Sequence, residues 1–329
     1  MSATSRADAA IPLAAGVLAV ALGLAVAFGT ERISLARALT DEASLDRTIA
    51  VAARLPRVAL AACAGGGLSL VGAAFQSMLR NPLAEPYVLG VSGGAAVGAT
   101  LAIVLGLGVV AAPLVPLAAM AGGLAATALV YAIARARATP SGADILLAGV
   151  IVNALASAIV TFIKTLVSAS KAQELLFWLM GFLDVPSRAS LATVAVYVAL
   201  GSAVLARDAG RLNLLALGEE PAAHLGVDVR ALERRVFVAA SLVVGAIVSV
   251  SGLIAFVGLV VPHAVRRLVG PDLRVVLPVS LLGGAAALVL CDLFTRLSFA
   301  WLGTEPPVGA VTALLGAPVF LLLLGRRAA

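Results

Sequence analysis

Eight apolar runs, each long enough to cross a lipid bilayer, leave this chain few folds to adopt. They cover residues 11–29, 58–79, 87–110, 114–134, 145–167, 189–206, 275–295 and 307–325. A crossing needs about 20 apolar residues at a rise of about 1.5 Å each. Within hydrocarbon every backbone N–H and C=O must find its partner inside the segment, so runs of this length become helices. The expectation is an all-α, polytopic transmembrane protein, a single domain over 1–329. Only 12% of the residues are charged, about half the share in soluble domains. The 32 glycines suit helices that approach closely, because small-residue packing replaces the hydrophobic drive that lipid removes.

One further apolar stretch, Val236 to Val265, carries no charge and would reach about 45 Å as one straight helix. That is long for one crossing and short for two. Arg230, Arg234 and Arg235 precede it; Arg266, Arg267 and Arg274 follow it. If positive clusters stay cytoplasmic, the stretch goes out and returns. Ser249, Ser251 and Gly252 mark the break. This predicts about ten crossings with both termini cytoplasmic. The first run, Ile11 to Gly29, is read as an uncleaved span, since Asp8 stands beside Arg6 in its flank and the run is long for a signal peptide. Between the spans lie a polar external loop, Glu31 to Arg57, and a short cytoplasmic turn, Arg80 to Pro86. A short interfacial helix is expected within Ser168 to Arg188, and a large cytoplasmic insertion over 207–235.

The net charge of +6 sits beside the apolar spans, where orientation in the membrane accounts for most of it. It points to membrane lipid and not to nucleic acid. Cys63 and Cys291 lie inside apolar runs without any CxxC spacing, so neither reads as a disulfide or metal ligand. Ser92 lies in Gly90-Val-Ser-Gly-Gly94, which fits the nucleophile turn of an intramembrane serine hydrolase. Such a serine needs a base within hydrogen-bond reach. The two histidines, His224 in the insertion and His263 beside Arg266, are poorly placed for it. A secondary carrier is the other alternative, but its mid-span ionisable residues are nearly missing: Asp292 has Arg296 one turn on, and Lys164 can snorkel. The two lysines, Lys164 and Lys171, follow Ile and Ser, so no P-loop exists. If this chain moves a solute with ATP, the nucleotide binds a separate subunit, and no cofactor is expected here.

The insertion reads LNLLALGEEPAAHLGVDVRALERR. Glu219 and Glu220 with Pro221 suit the first turn of a short helix, and Gly226 suits its end. Two short helices joined by glycine can present a compact surface to a partner. Asn153 is polar within the fifth span.

RLPRVALAACAGGGLSLVGAAFQSMLRNPLAEPYVLGVSGG, the LALGEEPAAHLGV insertion, GLIAFVGLVVPHAVRRLVGPD and PPVGAVTALLGAPVFLLLL, in that order from about Arg54 onward, resemble the FecCD/BtuC-type permeases. These are membrane subunits of importers for vitamin B12, haem and ferric siderophores. The resemblance implies ten helices per chain and a homodimer with the pathway between protomers. It implies two cytoplasmic ATPase subunits carrying ATP and magnesium, and a periplasmic or lipid-anchored binding protein, all at a bacterial inner membrane. Arg54, Arg57 and Arg296 correspond to an external arginine pocket that receives acidic residues of the binding protein. On that reading Arg57→Glu weakens docking with folding retained. Asn81, Pro82 and Leu83 correspond to a cytoplasmic gate, and Glu219, Glu220, His224, Leu225 and Gly226 to ATPase-coupling helices. Asn153 falls on the helix that lines the pathway, although bonding to a neighbouring helix is its favoured role.

Overall fold

The computed structural model describes residues 3–111, 113–136 and 142–325. Among them every regular element is a helix. In chain order these are α1 (Ala3–Ala27), α2 (Leu35–Thr40), α3 (Leu45–Thr48), a π-helical turn (Ile49–Arg54), α4 (Leu55–Met78), a 3₁₀ turn (Pro86–Leu89), α5 (Val91–Val104), α6 (Leu107–Val110), α7 (Leu114–Arg135), α8 (Gly142–Leu166), α9 (Ala169–Met180), α10 (Arg188–Leu215), α11 (Glu219–His224), α12 (Val229–Ser251), α13 (Val257–Val269), α14 (Leu273–Leu302) and α15 (Val308–Gly325). Seven segments are long and apolar enough to cross a membrane: Ala9–Ala27, Leu45–Met78, α7, α8, α10, α12 and α14. The shorter apolar helices α5 and α15 add two more, and α13, a 13-residue helix ending in Arg266 and Arg267, brings the described residues to about the ten membrane helices expected.

The stretch 236–265 is broken where Ser251 and Gly252 stand. Gly252 ends α12 at φ +64, and α13 starts at Val257 after Phe256 at φ +68. Three boundaries differ from the sequence reading. The run 87–110 is not one helix: Pro86 starts a 3₁₀ turn, Gly90 (φ +86) reorients the chain, and Gly106 (φ +70) cuts off α6. The external loop 31–57 is largely helical, because the Ser34 and Ser44 side chains cap α2 and α3, and the π-helical turn then feeds α4 directly. The insertion is narrower than 207–235, since α10 continues to Leu215 and α12 begins at Val229 with Asp228 as its cap.

α4 runs through the middle of the bundle against α10, α12, α13 and α14. Its Ala64-Gly-Gly-Gly67 stretch explains why. A Cβ on Gly65 would collide with the Gly284 carbonyl of α14, and one on Gly72 with the Gly258 carbonyl of α13. Glycine therefore lets three backbones touch, which is how membrane helices gain packing energy. α4 separates two polar ends, with Arg57 at one and Arg80 at the other, about 35 Å apart by helical rise.

Candidate functional site

At the Arg57 end, three arginines converge from distant parts of the sequence. Arg57 Nε lies 2.8 Å from Asp292 Oδ1, and an Arg57 Nη lies 2.9 Å from Glu305 Oε2. Arg296 Nε reaches the other Asp292 oxygen at 2.9 Å. Arg54 donates to the Val26 and Ala27 carbonyls at 2.8 Å each and to the Glu31 carbonyl. Arg296 donates to the carbonyls of Ala25 and Phe28 at 3.0 and 3.2 Å. The last turn of α1, with its orphan carbonyls and negative dipole end, is thus capped by two guanidinium groups.

The three arginines are largely withdrawn from solvent. Arg54 is 6% exposed and Arg296 4%, and the Arg57 side chain is 13% exposed above a fully buried Asp292. Their charge is turned inward, because guanidinium groups at this depth need acceptors. Charge reversal at Arg57 would place a second acid against Asp292, so folding is not expected to survive it. Glu305, in the loop before Pro306 and Pro307, was missed from sequence. Its carboxylate also accepts from Thr30 Oγ1 at 2.7 Å.

At the opposite end, the turn after α4 is built by its own side chains. Asn81 Oδ1 accepts from the Leu83 N–H at 2.9 Å, and the Asn81 carbonyl accepts from Ala84 N–H at 3.0 Å. Pro82 stands between them and removes a donor. Leu83 is left 49% exposed. Arg80 enters the turn at φ +50 and pairs with Glu219 of α11 at 3.4 Å. Arg80, the residue before Asn81, Pro82 and Leu83, thus reaches the insertion, a link that sequence distance hides.

α11 buries Ala222 against the bundle and turns away at Gly226 (φ +83). Glu220, His224, Leu225 and Gly226 face outward, and Leu217 and Leu225 are 69% and 60% exposed. Two exposed leucines flank a polar helix beyond the last apolar turn.

Between the two ends, Asn153 of α8 staples the start of α5. Its Nδ2 donates to the Tyr87 carbonyl at 2.8 Å, and its Oδ1 accepts from Gly93 N–H at 3.0 Å. It also borders a cavity of about 340 Å³ with Tyr87, Ser157, Thr161 and Leu253. Ser92 Oγ donates to the Tyr87 carbonyl at 3.0 Å, and no histidine is among its hydrogen-bond partners. His263 is buried edge-on to Phe320, and His224 sits on α11. The hydrolase geometry is not formed.

Glu85 and Tyr87 were also missed. The Glu85 carboxylate accepts from Phe256 N–H at 2.7 Å, and Tyr87 Oη accepts from Ile254 N–H at 3.0 Å. These side chains satisfy the backbone donors freed by the break between α12 and α13. The signal was visible: one lone acid beside Pro86 in an otherwise apolar passage.

A helical bundle with glycine-packed spans and a non-helical turn beside a protruding short helix has the architecture of a multi-pass membrane protein. The FecCD transport family model matches residues 17–326, and the chain belongs to that family. It is 47% identical over 274 residues to the cobalamin import system permease protein BtuC of Halobacterium salinarum, covering 83% of this chain and 72% of that one. It is 39% identical to the hemin transport system permease protein HmuU of Yersinia pestis, covering 83% and 82%. A solved inward-facing structure of an ABC transporter assigned to the metal-chelate type superposes with a TM-score of 0.83 at 33% identity, over 95% of this chain and 99% of that one. This chain is accordingly a permease subunit of that transport family.

Proposed function

We propose that this chain is the membrane half of an ATP-driven importer for a bulky metal chelate, with a corrinoid as first candidate and haem or a ferric siderophore next. The relative at 47% identity is named for cobalamin, which sets that order. Two copies form the pathway between them, in a bacterial inner membrane, with the insertion end and both termini cytoplasmic. The outermost terminal residues, 1–2 and 326–329, lie outside the described residues.

The observation that carries this reading is the contact of Arg80 with Glu219. Residues 219, 220 and 224–226 rest on the ATPase, which holds ATP and magnesium, and the apolar faces of Leu217 and Leu225 suit such a partner. Movement of α11 is then felt at Asn81, Pro82 and Leu83, where the Leu83 side chains of the two copies seal the pathway by excluding water. This is a rigid-body switch between packed states. A binding protein docks at the other end on the face organised by Arg54, Arg57 and Arg296, with the Glu305 loop at its rim. Asn153, beside a cavity, lines the route.

Uptake into liposomes holding this chain and its co-purifying ATPase tests the proposal. ATP-dependent entry of labelled cobalamin, competed by cobalamin and not by haemin or a ferric siderophore, is expected. Uptake by this chain without the ATPase would overturn the reading, and preference for haemin would replace the substrate.

A further inference from the structure

Two apolar troughs run along α12, one on each side, and share one cation, Arg234; Arg235 borders the second trough alone. The first lies between α7 and α12, about 300 Å³, and is bordered by Leu124, Ala128 and Tyr131 of α7. The second lies between α10 and α12, about 370 Å³, and is bordered by Tyr197, Leu200 and Val204 of α10. Arg234, Val238 and Leu242 border both. Val238, 54% exposed, forms a ridge one residue wide between them. From Arg234 to Leu242 the ridge spans two turns, about 12 Å into the apolar layer.

Two neighbouring arginines are already matched. Arg235 pairs with Asp208 at 2.8 Å. Arg135 pairs with Glu233 and stacks over the Tyr131 ring with its centre 5.4 Å away. Arg234 stands between these pairs, exposed, and has no carboxylate or hydrogen-bond partner among the described residues.

We propose that this face of α12 is a binding site for an anionic diacyl phospholipid of the leaflet at the insertion end. One chain lies in each trough, and the phosphate sits on Arg234, whose planar fork suits a phosphate bidentately. The shape argues for this occupant. Two narrow troughs diverging from one cation match two acyl chains below one headgroup, whereas a helix from a second copy needs one groove wide enough for a body of about 10 Å. Basic pockets between membrane helices are suited to anionic headgroups. The site does not depend on which solute is carried.

Native mass spectrometry of the detergent-purified chain, loaded with phosphatidylglycerol or phosphatidylcholine of identical acyl chains, reads the effect. Wild-type protein is expected to retain phosphatidylglycerol about fivefold better, the worth of one arginine at an anionic surface. Arg234→Gln should erase that preference, while Arg230→Gln, an exposed arginine that borders neither trough, should keep it. Ala128→Trp, filling the first trough, should weaken retention of both lipids, and excess inorganic phosphate should not displace the lipid. Equal retention of the two lipids by wild type, or a preference that survives Arg234→Gln, overturns the proposal. So does displacement by phosphate, which would make the site an ion site. A disulfide between copies through Val238→Cys in bilayers would instead make this face an interface of the protein with itself.

Discussion

The two polar ends of the molecule use the same residue types in opposite ways. At the Arg57 end, Asp292 and Arg296 are buried, Arg57 is nearly so, and they are matched at 2.8–2.9 Å, and Arg54 caps α1. At the insertion end, Arg80 and Glu219 are each more than two-fifths exposed and sit 3.4 Å apart. A buried ion pair cannot lose one member without stranding a charge, whereas an exposed pair is worth little and breaks easily. One end is therefore built to stay as it is. The other holds its turn and its short helix by a contact weak enough to move.

Breaking the buried side should have the largest effect. Arg57→Glu is expected to cost about 3–5 kcal/mol, read as loss of monodisperse protein or a lowered Tm in detergent. An unchanged Tm would show that the cluster does not hold the helix ends. Next comes the break between α12 and α13. Glu85→Ala strands the Phe256 N–H and should cost about 1–3 kcal/mol, with faster hydrogen exchange at residues 253–257 as its local signature.

The exposed end should answer differently. Leu225→Asp is expected to leave stability within about 0.5 kcal/mol of wild type, yet to lose the ATPase on size-exclusion chromatography. Retained association would remove α11 from that interface. Arg80→Glu and Glu219→Arg should each cost less than about 1 kcal/mol while lowering transport per ATP hydrolysed. The double exchange should restore the ratio, and a failure to restore it would deny the pair any part in coupling.

The smallest effect concerns Asp272, at the start of α14. The Arg274 backbone N–H, followed by the Asn213 side chain, holds its carboxyl below the ordinary value of 3.8. A carboxyl depressed in the folded state contributes stability that is complete above 3.8 and lost as pH falls through the folded value. Acid unfolding of Asp272→Asn should therefore show a slightly flatter dependence on pH in that window.

Much of this was legible in one dimension. Apolar length specifies membrane helices because lipid offers backbone groups no other partner, and the charges around 236–265 favoured a break near Gly252 over one long helix, which is where the break lies. The α11 helix could be read from Glu219, Pro221 and Gly226, since capping chemistry is local. Pro86, Gly90 and Gly106 were readable as interruptions, yet hydropathy alone concealed how far they shorten α5.

The sequence by itself determined that this chain is a bundle of membrane helices without a nucleotide loop, and where most of those helices stop. Only the tertiary structure decided what the polar residues do. Arg57 finds Asp292, Glu85 finds Phe256, and Arg80 finds Glu219, over separations of 235, 171 and 139 residues. In hydrocarbon a buried charge or a freed backbone donor must find a partner, and the packing of helices chooses which one.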